Sequence, residues 1–229
     1  MRQIIALILL PFLLAACGEV NSPSQKARIL TMGDSLLATH QITGRSVSDY
    51  VENMLGEPVV DRSVIGAHVI YNLPISGGLG LNISKQFLPG RWDWIILNGG
   101  GNDLWLGCGC TLCNHRMERL ISQDGRFGQI PTLIASLRAT GAKVIYVGYL
   151  RSPGVHSPVD HCRSTGDELE RRVTTNAASD DGVFFVSLQD LVPSGDTSFH
   201  AVDMIHPSFK GSAAIGNRIA QIIKRVGQN

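Results

Sequence analysis

The chain has 229 residues, 44% of them apolar and 17% charged, and a formal net charge of +1. That length builds one domain able to bury a full core. A charge this close to zero, with no lysine or arginine cluster, argues against nucleic acid as a partner.

Residues 1–16 read as a targeting segment. Arg2 is a positive start, and Ile4 to Leu14 is an apolar run, broken by Pro11, too short to cross a bilayer comfortably. Leu14-Ala15-Ala16-Cys17 resembles the lipobox of bacterial lipoproteins, in which small residues precede the cysteine that takes lipid. The resemblance implies several acyl chains on Cys17, which hold a protein on a membrane more firmly than one chain does. Gly18 follows instead of an aspartate, so the implied location is the outer membrane, facing the periplasm. Residues 17–26 are then the lipidated cysteine and a polar tether, and residues 27–229 the domain proper.

Arg28 to Met32 predicts a first strand ending at Gly33. Ser46 to Leu55 predicts a helix, with Val47, Tyr50, Val51, Met54 and Leu55 at helical spacing and Gly56 to close it. Pro58 to Ile65 predicts a second strand, Leu81 to Leu88 a short helix, and Asp93 to Asn98 a third strand stopped by three glycines. Gly128 to Thr140 predicts a helix and Ala142 to Tyr149 a fourth strand. Thr165 to Ser179 reads as a polar helix, Val183 to Leu188 as a fifth strand, and Lys210 to Val226 as a last helix with Ile215, Ile219, Ile222 and Ile223 on one side.

Strands that are apolar on both faces, alternating with helices, call for a parallel sheet covered on each side. Right-handed crossovers make it doubly wound: a three-layer α/β/α domain on five parallel strands. Ligands of such sheets sit beyond the carboxyl ends of the strands. Gly33-Asp34-Ser35, Gly66 and Gly101-Asn102-Asp103 follow strands one, two and three, and Asp203 and His206 follow strand five.

Cys108, Cys110, Cys113 and Cys162 form an even set, which in an exported chain favours two disulfides, one of them joining Cys162 to the other three. A zinc site on Cys110-x-x-Cys113 with His115 or His161 ranks below this. A redox motif would need a helix start, and Gly107 and Gly109 read as loop.

Three segments carry chemistry. Ser35 follows a strand and a glycine, where free N–H groups can face a developing negative charge; taken alone, such a serine is better explained as a helix cap. Asp203-x-x-His206 sets a carboxylate beside a ring whose far nitrogen can take a serine proton, and Pro207 biases His206 toward an extended backbone. His200 is the nearest rival, and His68, beside Gly66, is a possible pocket residue. Asn102 offers an amide to an oxyanion, although Gly101-Asn102-Asp103 also suits a turn.

Gly33-Asp34-Ser35-Leu36, Ser63-Val64-Ile65-Gly66-Ala67, Gly101-Asn102-Asp103 and Asp203-Met204-Ile205-His206-Pro207 together resemble the four blocks of the SGNH hydrolases, the GDSL esterase/lipase family. The resemblance implies Ser35 as nucleophile, His206 as base, Asp203 as its orienting acid, and an oxyanion hole from Ser35, Gly66 and Asn102. It implies an acyl-enzyme mechanism needing neither metal nor cofactor. The cysteine-rich stretch Leu106 to His115 is foreign to the family pattern and lies where it can wall the cleft. Membrane tethering, with Leu36, Leu37, Trp105 and Leu106 near the site, favours lipid or small acyl esters. The alternatives are an O-acetyl esterase on envelope polysaccharide and a catalytically silent lipoprotein that binds a glycan or protein.

Overall fold

The computed structural model describes residues 27–155 and 157–227. The targeting segment, Cys17 and the tether lie outside the described residues.

Five parallel strands form one sheet: β1 (Ile29–Met32), β2 (Val59–Asp61), β3 (Trp94–Leu97), β4 (Lys143–Val147) and β5 (Val183–Val186). Their order is β2-β1-β3-β4-β5, so the chain winds out to one side and then the other. The helices are α1 (Ser35–Ala38), α2 (Val47–Leu55), α3 (Pro74–Ser76), α4 (Gly101–Cys108), α5 (Asn114–Leu120), α6 (Gln129–Arg138), α7 (Arg163–Ala177) and α8 (Phe209–Gly227). This is the three-layer α/β/α architecture expected.

Period-two alternation along the strands divides the core in two. Leu30, Met32, Ile95, Leu97, Val144 and Tyr146 pack toward α4 to α7. Ile29, Trp94, Ile96, Ile145 and Val147 pack toward α1, α2 and α8. Each such side chain contributes roughly 1.5–3 kcal/mol by leaving water. Helices α2 and α8 approach closely because Gly216 lacks a side chain: a Cβ there would stand 2.7 Å from Tyr50 Cβ and 3.0 Å from the Val47 carbonyl.

Four boundaries depart from the sequence reading. The second strand stops at Asp61, not Ile65, because Asp61 Oδ1 accepts the Ser63 N–H at 2.8 Å and turns the chain; Ile65 is 64% exposed. The segment from Leu81 to Leu88 holds only a 3-10 turn, Ile83–Gln86. Gly101-Asn102-Asp103 opens helix α4, which the run of glycines from Gly99 to Gly101 concealed. Gly107 lies inside α4, and Gly109 caps its end in the left-handed region at φ 61°.

Candidate active site

The turn after β1 is clamped from below. Gly33 N–H donates to Gln86 Oε1 at 2.7 Å, and Gln86 Nε2 donates to the Gly33 and Gly80 carbonyls at 2.9 and 2.8 Å. Glycine is needed at 33 for close approach: a Cβ would stand 3.0 Å from Leu37 Cδ1 and 3.1 Å from the Asn98 carbonyl. The cap of α1 is Asp34, whose Oδ1 accepts the Leu36 N–H at 2.9 Å. Ser35 is therefore the first helical residue and not the cap. Its N–H has no hydrogen-bond partner among the described residues.

Asp34 is 2% exposed. Its second oxygen accepts the Tyr149 hydroxyl at 2.5 Å, and the same hydroxyl accepts the Gly101 N–H at 2.8 Å. Burial pushes the Asp34 carboxyl up, while the Tyr149 and Leu36 hydrogen bonds pull it back. Burial and the neighbouring Asp34 charge hold the Tyr149 phenol well above its ordinary value, which keeps it a donor.

Asn102 sits in the first turn of α4. Its Nδ2 donates to the Ala67 carbonyl at 2.9 Å, which leaves its second N–H unassigned. Gly66, one residue from that carbonyl, has φ +79°, a region glycine enters without strain, and its N–H has no partner among the described residues. Asp103 points away, accepting the Val69 and Ile70 N–H groups at 2.9 and 2.8 Å. It steadies the segment after Gly66.

The last segment is self-wired. Asp203 Oδ1 accepts the Ile205 and His206 N–H groups at 3.0 Å each, and Oδ2 meets His206 Nδ1 at 2.6 Å. Partial burial works against the Asp203 charge, yet these hydrogen bonds hold its carboxyl below the ordinary range. An ionised Asp203 fixes the proton on Nδ1 and leaves Nε2 as the acceptor. Ser157 Oγ donates to the Met204 carbonyl at 2.8 Å, and His40 Nε2 meets the Pro207 carbonyl at 2.9 Å.

Ser35, Asn102 and His206 line one cleft of about 130 Å³, with Leu36, Trp105 and Tyr149 among its walls. No hydrogen bond joins Ser35 Oγ to the His206 ring among the described residues; such bonds often tighten only around substrate. Gly66 and Asp203 stand behind this lining, next to Asn102 and His206 respectively. Of the four apolar residues expected here, Leu36 and Trp105 line the cleft, Leu37 is core, and Leu106 is exposed. His68 lies outside the cleft, against the Tyr71 ring. His200 is buried behind the loop, and burial lowers its proton affinity.

The family model of GDSL-like lipases/acylhydrolases matches residues 31–214. The chain belongs to this family. It is an ester hydrolase of the SGNH/GDSL type. No curated protein matches the chain. Solved structures share the fold of this GDSL-like hydrolase. An acetyl-xylooligosaccharide esterase from Geobacillus stearmophilus is 17% identical over 87% of this chain and 93% of its own, with a TM-score of 0.60. A psychrotrophic esterase from a Pseudoalteromonas species, inhibited by monoethylphosphonate, is 14% identical over 88% and 98%, with a TM-score of 0.58. A lipase from a goat rumen metagenome is 15% identical over 84% and 95%, with a TM-score of 0.57.

The hydrolase departs from a bare fold at its cysteines. Cys108 pairs with Cys113, and Cys110 pairs with Cys162, tying α4 to the start of α7. Cys110, His161 and Cys162 lie close enough to suggest a metal triad, but the two sulfurs are spent on each other.

The residues that sequence reasoning missed are Tyr149, Gln86, Ser157 and His40. Tyr149 stands at the carboxyl end of a strand, where site residues gather, and that was the one available signal.

Proposed function

We propose that this hydrolase is a serine esterase acting through an acyl-enzyme on Ser35, with lipid or small acyl esters as substrates. The observation that carries this reading is the Asp203–His206 contact at 2.6 Å, with His206 and Ser35 lining one cleft. Ser35 Oγ attacks the ester carbonyl while His206 Nε2 takes its proton. The carbonyl oxygen becomes an oxyanion and receives the Ser35 and Gly66 N–H groups and the Asn102 amide. As the intermediate collapses, His206 returns the proton to the departing alcohol. Water, deprotonated by the same ring, then releases the acid and restores Ser35. Asp203 holds the ring and stabilises its charged form.

The lipidated Cys17 is part of the proposal and would place the enzyme on the outer membrane, facing the periplasm.

The test is hydrolysis of a p-nitrophenyl acyl ester and labelling by a fluorophosphonate. Wild type is expected to turn over and to label; Ser35→Ala is expected to do neither while its melting transition persists. Full turnover by Ser35→Ala would end the proposal. A protein that never labels, in any condition, would be the silent binding module instead.

A further inference from the structure

One face of α7 looks into the cleft. Cys162 at its cap, Gly166 and Leu169 recur at helical spacing, and all three line the cavity. Glycine is the poorest ordinary residue inside a helix, yet Gly166 sits in the second turn of a fifteen-residue one. A Cβ built there would meet nothing within 4 Å. The open space is cleft. Facing it are Leu104 and Trp105 on α4, the helix whose first turn carries Asn102. The bonded Cys110 and Cys162 line it as well, and Thr165 Oγ1 donates to the Cys110 carbonyl at 2.8 Å beside them.

This chamber has a side. Leu104, Cys110 and Leu169 belong to the core on the α4-to-α7 face of the sheet. His206 comes instead from the loop leading into α8, which packs on the opposite face. A leaving alcohol must lie near the imidazole that protonates it. The arm of the ester that turns away from His206 is the acyl group.

We propose that the acyl chain lies between α4 and α7, and that the missing side chain at Gly166 sets the length of chain the enzyme accepts. The inference rests on the esterase reading and names its substrate class: esters of medium-length apolar acids rather than acetate. The Cys110–Cys162 disulfide, which lines the same chamber, ties the turn after α4 to the start of α7.

The experiment is a p-nitrophenyl series from acetyl to dodecanoyl with wild type, Gly166→Ala and Gly166→Leu. Wild-type kcat/KM is expected to rise from acetyl to hexanoyl. In Gly166→Leu the hexanoyl-to-acetyl ratio is expected to fall by about tenfold or more, the scale on which one methylene matters in an apolar pocket. Gly166→Ala falls between. Trp105→Ala, which enlarges the same chamber from the other wall, is expected to raise the dodecanoyl-to-hexanoyl ratio, and it decides the matter if the leucine variant does not fold. A wild-type preference for acetyl, or ratios that no variant moves, overturns the assignment while fluorophosphonate labelling of Ser35 leaves the esterase reading standing. Absence of labelling in wild type would bring down both.

Discussion

The two halves of the catalytic apparatus are built on different principles. The nucleophile turn is wired into the core: Asp34 is 2% and Ser35 9% exposed, Gln86 clamps Gly33 on both its backbone groups, and Tyr149 joins Asp34 to the start of α4. The acid–base loop lies at the surface and holds itself together. Asp203 binds the two N–H groups and the ring that follow it, and Val202 beside it is fully exposed. A buried polar network is rigid because every group in it would cost free energy if released. An exposed one competes with water and opens more easily. The contact still to be made, Ser35 with His206, therefore depends on the loop settling against a turn that does not move.

The comparison breaks first at the exposed half, where chemistry and stability should separate. His206→Ala is expected to lower kcat by about 10⁴-fold or more, and Asp203→Asn by about 10⁴-fold, because the amide no longer fixes the proton on Nδ1. Neither should cost more than about 1 kcal/mol of unfolding free energy, since the pair is solvent-accessible. The sign of its pH dependence follows from the lowered Asp203 carboxyl: its stabilisation is present above the ordinary carboxylate range and is lost as pH falls through the lowered value. Initial rates and chemical denaturation measure the two effects. A large stability loss in Asp203→Asn would mean that the loop is wired into the core after all.

At the buried half, Tyr149→Phe sharpens the contrast. The change deletes the donor to Asp34 and the acceptor of the Gly101 N–H and leaves both buried groups short of a partner. Stability should fall by about 1–3 kcal/mol. A small displacement of Asn102 relative to Ser35 should cost about tenfold to a hundredfold in kcat with KM little changed. The Asp34 carboxyl, already raised by burial, should rise further without its phenol. A raised folded-state value means that the native protein holds the proton longer, so stability is lost as pH rises through it. The gap between wild type and variant in denaturation free energy should thus widen from about pH 4 to pH 7. An equal gap at both ends would show that Tyr149 packs and does not tune Asp34.

How much of this was legible from residues alone follows the same divide. Asp203 and His206 lie three apart and act on each other, so a local pattern reveals them. The alternation of strands and helices is local too, and the five-stranded order follows from it. Tyr149 is 115 residues from Asp34, and Gln86 is 53 from Gly33. Nothing in a tyrosine after a strand says which carboxylate it will meet. Helix α4 was hidden for another reason: three glycines announce a break, and only the burial of Asp103 and Leu104 turns the next residues into a helix. Four cysteines announced two bonds, but the pairing of Cys110 with Cys162 depends on α7 lying against α4.

The smallest expected effect tests what the surface loop owes to its tether at Met204, the other outside contact being His40 Nε2 on the Pro207 carbonyl. Met204 has φ 58°, a left-handed backbone that costs a non-glycine residue roughly 1–2 kcal/mol, and its carbonyl accepts the Ser157 hydroxyl at 2.8 Å. That hydrogen bond, worth about 0.5–1.5 kcal/mol, partly offsets the strain. Ser157→Ala should therefore leave global stability nearly unchanged and lower kcat only severalfold, with faster amide exchange confined to residues 201–206. Met204→Gly removes the strain instead, and in the Ser157→Ala background it should recover part of the lost protection. If exchange in the loop is unmoved by Ser157→Ala, the internal bonds of Asp203 and the His40 contact at Pro207 hold it without Ser157, and the position of His206 owes nothing to the segment that also forms the rim of the cleft.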